Sequence, residues 1–475
     1  MTPHEEQEAK HWLDVAPKQD LQSILLNYAD ADHILFYELR NRFSDRWNEQ
    51  SLAKMQTDIQ KMIAKNTHNG SINDLDGIAI CNTLDHITQG AIDTEFDWDL
   101  SFAIQKVLFV VRSAMKIIDK VTDDLPEPTI TLLSAFKALD QLSEKMAPAL
   151  FDGKKDKLIA SAIDVFNLQA FNKWNTYRYA VLEHVMPLMT EDSFKLVEQA
   201  AAEIPERYSG YDKKDPHKSS VLHDVKVHNI NLKIQGLIAL GQVEAAKKLM
   251  AENKHFKLVR QTAIQFYLSQ NDLKNAEKLA IEGTLDKSEE ADPERWLNDL
   301  EKIYLERKSY LKLSGVYKSR FLLLSTSHST DFDDYERLKA LLQKHNKWEQ
   351  KYPKLLREFS KKLAPVNYGD LLEFENETAK LMALVEKRPD LIFYYGKTLY
   401  GDFPDKVTTF YRKTLIDTFL GTTRDQYKQL GDVIRRYSDY GDKNTAREWC
   451  QQLMRQHEKD SAFVDEMKKV RDSIH

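Results

Sequence analysis

HDVKVHNINLKIQGLIALGQVEAAKKLMAENKHFKLVRQTAIQFYLSQNDLKNAEKLAIEG, residues 223–283, decides the fold. It holds two helix–turn–helix units in tandem. Ile234, Leu237, Ile238, Val243, Ala246 and Leu249 of the first recur as Ile264, Tyr267, Leu268, Leu273, Ala276 and Leu279 of the second, at a constant offset of 30 residues (264 − 234, 276 − 246). Self-similarity at a fixed period in this range marks a helical-repeat array. A single helical hairpin has an apolar face that only its neighbour covers, so the units are expected to stack.

The rest of the chain agrees with an all-α class. Among 475 residues there are 15 Gly and 13 Pro, about 3% each and below the usual roughly 7% and 5%. Breakers are scarce, which favours long helices. The 42% hydrophobic content is ample for a core, and 30% charged residues with a mean hydropathy of −0.55 imply a solvated exterior. A net charge of −6 gives no global reason to expect nucleic acid or an anionic membrane. Two cysteines, Cys81 and Cys450, leave no room for a disulfide framework or a thiolate zinc site and suit a reducing cytoplasm. The start, MTPHEEQEAK, shows no signal-peptide pattern. The most apolar span, AIQKVLFVVRSAMKII, carries Lys106, Arg112 and Lys116 and is too short and charged to cross a bilayer.

Apolar spacing predicts helices over 9–29 and 31–48, meeting at Asp30, then over 51–65, 77–90, 97–122, 130–150, 153–170, 173–189 and 191–203. The 97–122 helix is expected to be central in this half. Residues 208–220, YSGYDKKDPHKSS, lack an apolar face and contain Gly210 and Pro216, so they read as a linker or long loop. The expected organisation is an N-terminal helical bundle or irregular repeats over 1–207, the linker, and repeats over 221–475. A third, looser unit turns at Lys308 and Ser309. Helices over 332–345, 347–363, 368–386, 389–401, 404–420, 423–439, 442–456 and 459–473 continue the series. Gly441 is expected to relieve a left-handed helix end.

The C-terminal third has a recognisable texture. It runs through DYERLKALLQKHNKWEQKYPKLLREF (334–359), LVEKRPDLIFYYGKTLYGDFPDKVTTFYRKTLIDTFL (384–420) and YKQLGDVIRRYSDYGDKNTAREWCQQLMRQHEKDSAFVDEMKKVR (427–471). Tyr411-Arg412-Lys413 follow a Pro-Asp turn, Tyr427 opens the next helix, Trp449 follows Gly441, and a helix carrying Phe463 closes the pattern. This resembles the helical-repeat region that follows the finger in bacterial SWIM zinc-finger proteins. The segment GSINDLDGIAI with the helix DWDLSFAIQKVLFVV is similar to the start of that region. The finger's own Cys and His pattern is absent. The resemblance implies a tetratricopeptide-like superhelix used in macromolecular contacts, without a zinc site.

Catalytic and cofactor motifs are missing. No phosphate-cradling loop, dinucleotide fingerprint, nucleophile elbow or H-E-x-x-H helix occurs. Asp74, Asp76 and Gly77 lack the remaining oxygens of a calcium loop and read as a capped turn. His217, His223 and His228 are not spaced for a helix-borne metal site. Asp123-Asp124, Glu289-Glu290 and Asp333-Asp334 read as charges at helix starts. Basic residues interleave with aromatics over 306–320, 351–362 and 411–437. Those stretches read first as amphipathic helices with packed tyrosines, and second as a surface on which bases stack.

The expected architecture is an α-solenoid, a right-handed superhelix of tetratricopeptide-like hairpins. The expected role is a cytoplasmic scaffold or adaptor, not an enzyme, that binds a protein or peptide partner on its concave face, with no cofactor, metal or membrane. With the units registered on Val243, Leu273 and Tyr310, the groove-lining candidates are His228, Asn231, Gln235, Gln261, Gln265, Arg295, Asn298 and Lys302. Their amide and basic groups suit an extended peptide. The alternatives are a nucleic-acid-binding accessory protein and an enzyme with a dispersed, unrecognised active site.

Overall fold

A computed structural model describes residues 12–13, 15–31, 49–93, 100–122, 125–208, 216–288, 291–325, 330–413, 419 and 421–475. Among the described residues the chain is all-helical, and its only strand-like pairing is an isolated bridge between His68 and Ser71. No helix among them is long and apolar enough to cross a membrane. The expected 31–48 helix lies outside the described residues.

The residues divide into two compact units, Met1–Leu279 and Ala280–His475. The first unit contains α1 (Lys18–Ala31), α2 (Glu49–Lys65), α3 (Asp74–Ile92), α4 (Leu100–Ile118), α5 (Glu127–Met146), α6 (Asp152–Phe166), α7 (Asn175–Glu183), α8 (Glu191–Glu203), α9 (Pro216–Ala239), α10 (Val243–Asn253) and α11 (Lys257–Ser269). Helix α12 (Leu273–Thr284) contains the division point.

Helix α4 is the pillar of this unit. Ile104, Val107, Val110, Val111, Ala114 and Met115 are fully buried, and α2, α3, α5 and α6 pack around it. A helix apolar on nearly every side needs cover on every side, so its central place follows from its sequence. Asn73 caps α3, its side chain accepting from the backbone N–H of Asp76 at 2.9 Å. The expected 153–170 and 173–189 helices are each interrupted. Chain 169–173 and 186–188 form 3-10 turns between α6, α7 and α8. Of the expected linker, Tyr208 is buried at the end of a 3-10 turn and 216–220 already belong to α9, while 209–215 lie outside the described residues.

The second unit contains α13 (Pro293–Glu306), α14 (Tyr310–Leu324), α15 (Asp333–Lys344), α16 (Trp348–Lys362), α17 (Pro365–Phe374), α18 (Thr378–Lys387), α19 (Ile392–Tyr400), α20 (Pro404–Tyr411), α21 (Arg424–Ser438), α22 (Lys443–Gln456) and α23 (Ser461–Ser473). Each helix from α13 to α20 packs against the next, and α17, α19 and α21 also meet one another in turn. Asp292, Thr423, Asp442 and Asp460 cap α13, α21, α22 and α23 through side-chain oxygens. Each cap satisfies N–H groups that a helix start leaves free.

Five hairpins share one joint. Gly241, Asn271, Lys308, Asn346 and Asn376 adopt left-handed φ values of 71°, 57°, 51°, 53° and 55°. At each joint the N–H of the left-handed residue reaches back three residues, as from Gly241 to the carbonyl of Ile238 at 3.0 Å. The next N–H reaches back five: Gln242 to Leu237, Asp272 to Tyr267, Ser309 to Tyr304, Lys347 to Leu342 and Glu377 to Leu372, all at 2.8–2.9 Å. This pair of bonds is the Schellman motif. It closes α9, α11, α13, α15 and α17 and starts the return helix at Val243, Leu273, Tyr310, Trp348 and Thr378.

The register drawn on Val243, Leu273 and Tyr310 therefore extends to two more hairpins. It also corrects the expected single helix over 368–386, because Asn376 divides that stretch into α17 and α18. Gly441 is a second correction. It is not among the positive-φ residues; a Cβ there would lie 2.7 Å from the Tyr437 ring, so close approach is what demands glycine.

Candidate functional site

Each candidate side chain lies where its helix's neighbours put it. Helix α9 is covered by α7, α8, α10 and α11, more sides than a simple hairpin would leave enclosed. His228 is consequently buried and stacks on Tyr179, with ring centroids 4.7 Å apart and planes 13° from parallel. Burial holds its imidazole below the ordinary histidine range, against the pull of Glu183 and Asp224. Asn231 is also buried. Its Nδ2 donates to Glu183 Oε1 at 3.1 Å, and its Oδ1 accepts from Thr262 Oγ1 at 2.6 Å. It ties α7, α9 and α11 together. His228 and Asn231, expected on a groove face, are both buried, the first stacked and the second hydrogen-bonded within the unit.

The other first-unit candidates remain reachable: Gln265 is exposed, and Gln235 and Gln261 are half-buried. In the second unit, Lys302 is exposed and 3.9 Å from the buried Asp299, and Arg295 is half-buried. Asn298 is exposed but committed, since its Oδ1 accepts from Arg320 Nη1 at 2.5 Å. Arg320 itself is buried and fans out to three groups. Its Nε and Nη2 meet Asp334 at 2.6 and 2.7 Å, and Nη1 meets Glu301 Oε2 at 2.8 Å. Glu301 in turn accepts from the Tyr317 hydroxyl at 3.0 Å. These bonds to Asp334, ahead of those to Glu301, hold the guanidinium firmly protonated. Asp334, though not the exposed Asp333 beside it, thus belongs to a structural network joining α13, α14 and α15.

The basic-aromatic stretches behave as packed amphipathic helices. Tyr310 lies flat on His345, with centroids 3.8 Å apart. Tyr352 donates to Glu377 at 3.0 Å and packs on Trp348. Tyr411, Tyr437 and Tyr440 form one cluster with Trp449, in which Tyr440 donates to the Tyr411 hydroxyl at 2.7 Å. Tyr427 donates to Asp460 at 2.6 Å. Lys318 and Lys362 both pair with Glu358. Of the rings in these stretches Tyr317, Phe359, Tyr411, Tyr427 and Tyr437 are buried, and Tyr310 and Tyr352 are half-buried.

Among the described residues no group of three His, Cys, Asp or Glu side chains could hold a metal ion. Asp74 and Asp76 are engaged by Thr122 and Asn73. Asp123-Asp124 and Glu289-Glu290 lie outside the described residues. Both thiols are buried. Burial pushes Cys81 up to about 12 and Cys450 up to about 11, far from thiolate chemistry.

The sequence reasoning passed over one concavity. Helices α2, α4 and α6 enclose a cleft of about 270 Å³ lined by Leu52, Gln56, Gln105, Leu108, Phe109, Arg112, Ser161, Asp164 and Val165. Its signal was present in the sequence, as Arg112 within the most apolar span. No family model, curated protein or solved structure matches the chain.

Proposed function

We propose that this protein is a non-enzymatic scaffold or adaptor whose hairpins stack as an α-solenoid, a right-handed superhelix of tetratricopeptide-like pairs, and that it holds a protein or peptide partner along the inner face. The observation that carries this reading is the joint repeated five times from Gly241 to Asn376. Within each unit, identical joints give successive hairpins the same geometry, and serial stacking of similar pairs generates a curved surface. The resemblance of the C-terminal third to the helical-repeat region of bacterial SWIM zinc-finger proteins points the same way.

With His228 and Asn231 buried, the contact candidates are Gln235, Gln261 and Gln265 within the first unit and, as a separate set, Arg295 and Lys302 within the second. Asn298 acts through Arg320 and is left out of the contact set. Exposed or half-buried amides and cations of this kind grip a peptide backbone and its carboxylates.

The test is affinity capture from the source cytoplasm followed by equilibrium binding of the captured protein to purified variants. Gln265→Ala in the first unit and Lys302→Glu in the second, made separately, are the test substitutions, and the one on the binding unit is expected to weaken that binding at unchanged melting temperature. Unaltered affinity in both variants overturns the assignment.

A further inference from the structure

The cleft between α2, α4 and α6 has the composition of a ligand site. Four apolar side chains form its floor: Leu52, Leu108, Phe109 and Val165 are at most 8% exposed. Polar groups stand around them. Gln105, Leu108, Phe109 and Arg112 recur at three- and four-residue steps on α4, so one helix face contributes both floor and rim. Leu52 and Gln56 do the same from α2, and Ser161, Asp164 and Val165 from α6. The Ser161 hydroxyl donates back to the carbonyl of Lys157 at 3.0 Å, which leaves its lone pairs free to accept.

Arg112 is the unusual member. It is half-buried, and its Nε is enclosed without a hydrogen-bond partner among the described residues. Enclosing a guanidinium N–H without an acceptor is costly, and native structures seldom tolerate it without a reason. Asp164 lines the same cleft but forms no ion pair with Arg112 among the described residues. Lys116 and Lys120 follow Arg112 at four-residue steps; partial burial first, then repulsion from Arg112 and Lys120, holds the Lys116 ammonium below its ordinary range. Arg112 thus puts a positive charge at the rim of the cleft, with its Nε donor unused among the described residues.

We propose that this cleft binds a small monocarboxylate with an apolar body. The carboxylate takes the Arg112 fork through Nε and one Nη, a two-bond geometry that gives the enclosed Nε–H its acceptor. The apolar body lies on Leu52, Leu108, Phe109 and Val165, and the amides of Gln56 and Gln105 orient it. The volume is near the lower end of ligand pockets and admits a molecule the size of a single aromatic or branched aliphatic acid. Asp164 acts as a filter, because a second negative charge on the ligand meets its carboxylate. This excludes phosphate dianions and dicarboxylates as preferred occupants.

Calorimetric titration of the full chain with benzoate, 4-methylpentanoate, inorganic phosphate and hexylamine tests the assignment. The two monocarboxylates are expected to bind at millimolar or lower concentration, and phosphate and hexylamine at least about tenfold more weakly. Arg112→Gln is expected to reduce carboxylate affinity by about tenfold or more, with Arg112→Lys between it and the parent. Asp164→Asn is expected to admit phosphate. Ser161→Phe blocks the cleft without touching the guanidinium, so it removes binding even if the arginine variants unfold. Absence of heat with both monocarboxylates, or equal affinity in the parent and Ser161→Phe, overturns the proposal.

Discussion

Asp334 holds Arg320 by two parallel bonds, 2.6 Å from Nε to Oδ2 and 2.7 Å from Nη2 to Oδ1, in a place where both side chains are at most 7% exposed. The two residues lie on neighbouring helices, α14 and α15, and Glu301 and Asn298 bring in α13. Three helices that could otherwise slide along one another are registered by a single guanidinium.

Removing one partner of this pair leaves the other charged and enclosed. Asp334→Ala is expected to cost about 3–5 kcal/mol. For a unit of this size that lowers the melting temperature by about 10 °C. Replacing both residues with apolar ones, Arg320→Met with Asp334→Leu, is expected to recover most of the loss. Thermal unfolding followed by circular dichroism checks both. A single variant as stable as the parent would mean that the network carries no net stabilisation.

His228 sets a pH dependence of definite sign. Burial against Tyr179 favours its neutral form, so its folded pKa lies below the unfolded value near 6.5. Between those two values the unfolded chain binds a proton that the folded chain refuses. Stability is therefore complete above about pH 6.5 and declines as the pH falls toward the folded pKa. The opposing carboxylates of Glu183 and Asp224 limit the decline. His228→Gln is expected to flatten the dependence of the urea midpoint on pH below about 6.5, relative to the parent. Parallel curves for the two proteins would show that His228 is not the group responsible.

Lys308 occupies a left-handed position that Gly and Asn fill at the other four joints. An ordinary side chain pays roughly 1–2 kcal/mol for that conformation. Lys308→Gly is expected to stabilise by about 0.5–1 kcal/mol after its own loss of chain entropy is subtracted. Asn271→Val is expected to destabilise by about 1–2 kcal/mol for the converse reason. Denaturant midpoints at constant slope decide both cases. A destabilised Lys308→Gly would mean that the lysine side chain does something for the joint beyond tolerating its φ.

The hairpin register was legible because Val243, Leu273 and Tyr310 are apolar residues at equivalent places. The break at Asn346 was legible as the boundary between the 332–345 and 347–363 helices, but the one at Asn376 was not, because the joint is a backbone conformation that glycine, asparagine and lysine all adopt here. Helix α4 declared its central place through apolar residues on nearly every face. The number of helices around α9 had no such signal. An amphipathic pattern shows that a face is covered but not how many neighbours cover it, so His228 and Asn231 looked like solvent-facing groups and are core joints. Arg112 was visible as a lone cation in an apolar run; that α2 and α6 stand back from it to leave a cleft is a matter of packing between distant segments.

The two silent thiols have a practical consequence. Cys81 lies in the first unit and Cys450 in the second, each fully enclosed and far from ionising. A colourless disulfide reagent added to native protein can reach neither until the surrounding helices part. The rate of modification at each cysteine, read separately by mass spectrometry, is thus an internal clock for the opening of its own half of the chain, already installed without labels or engineering.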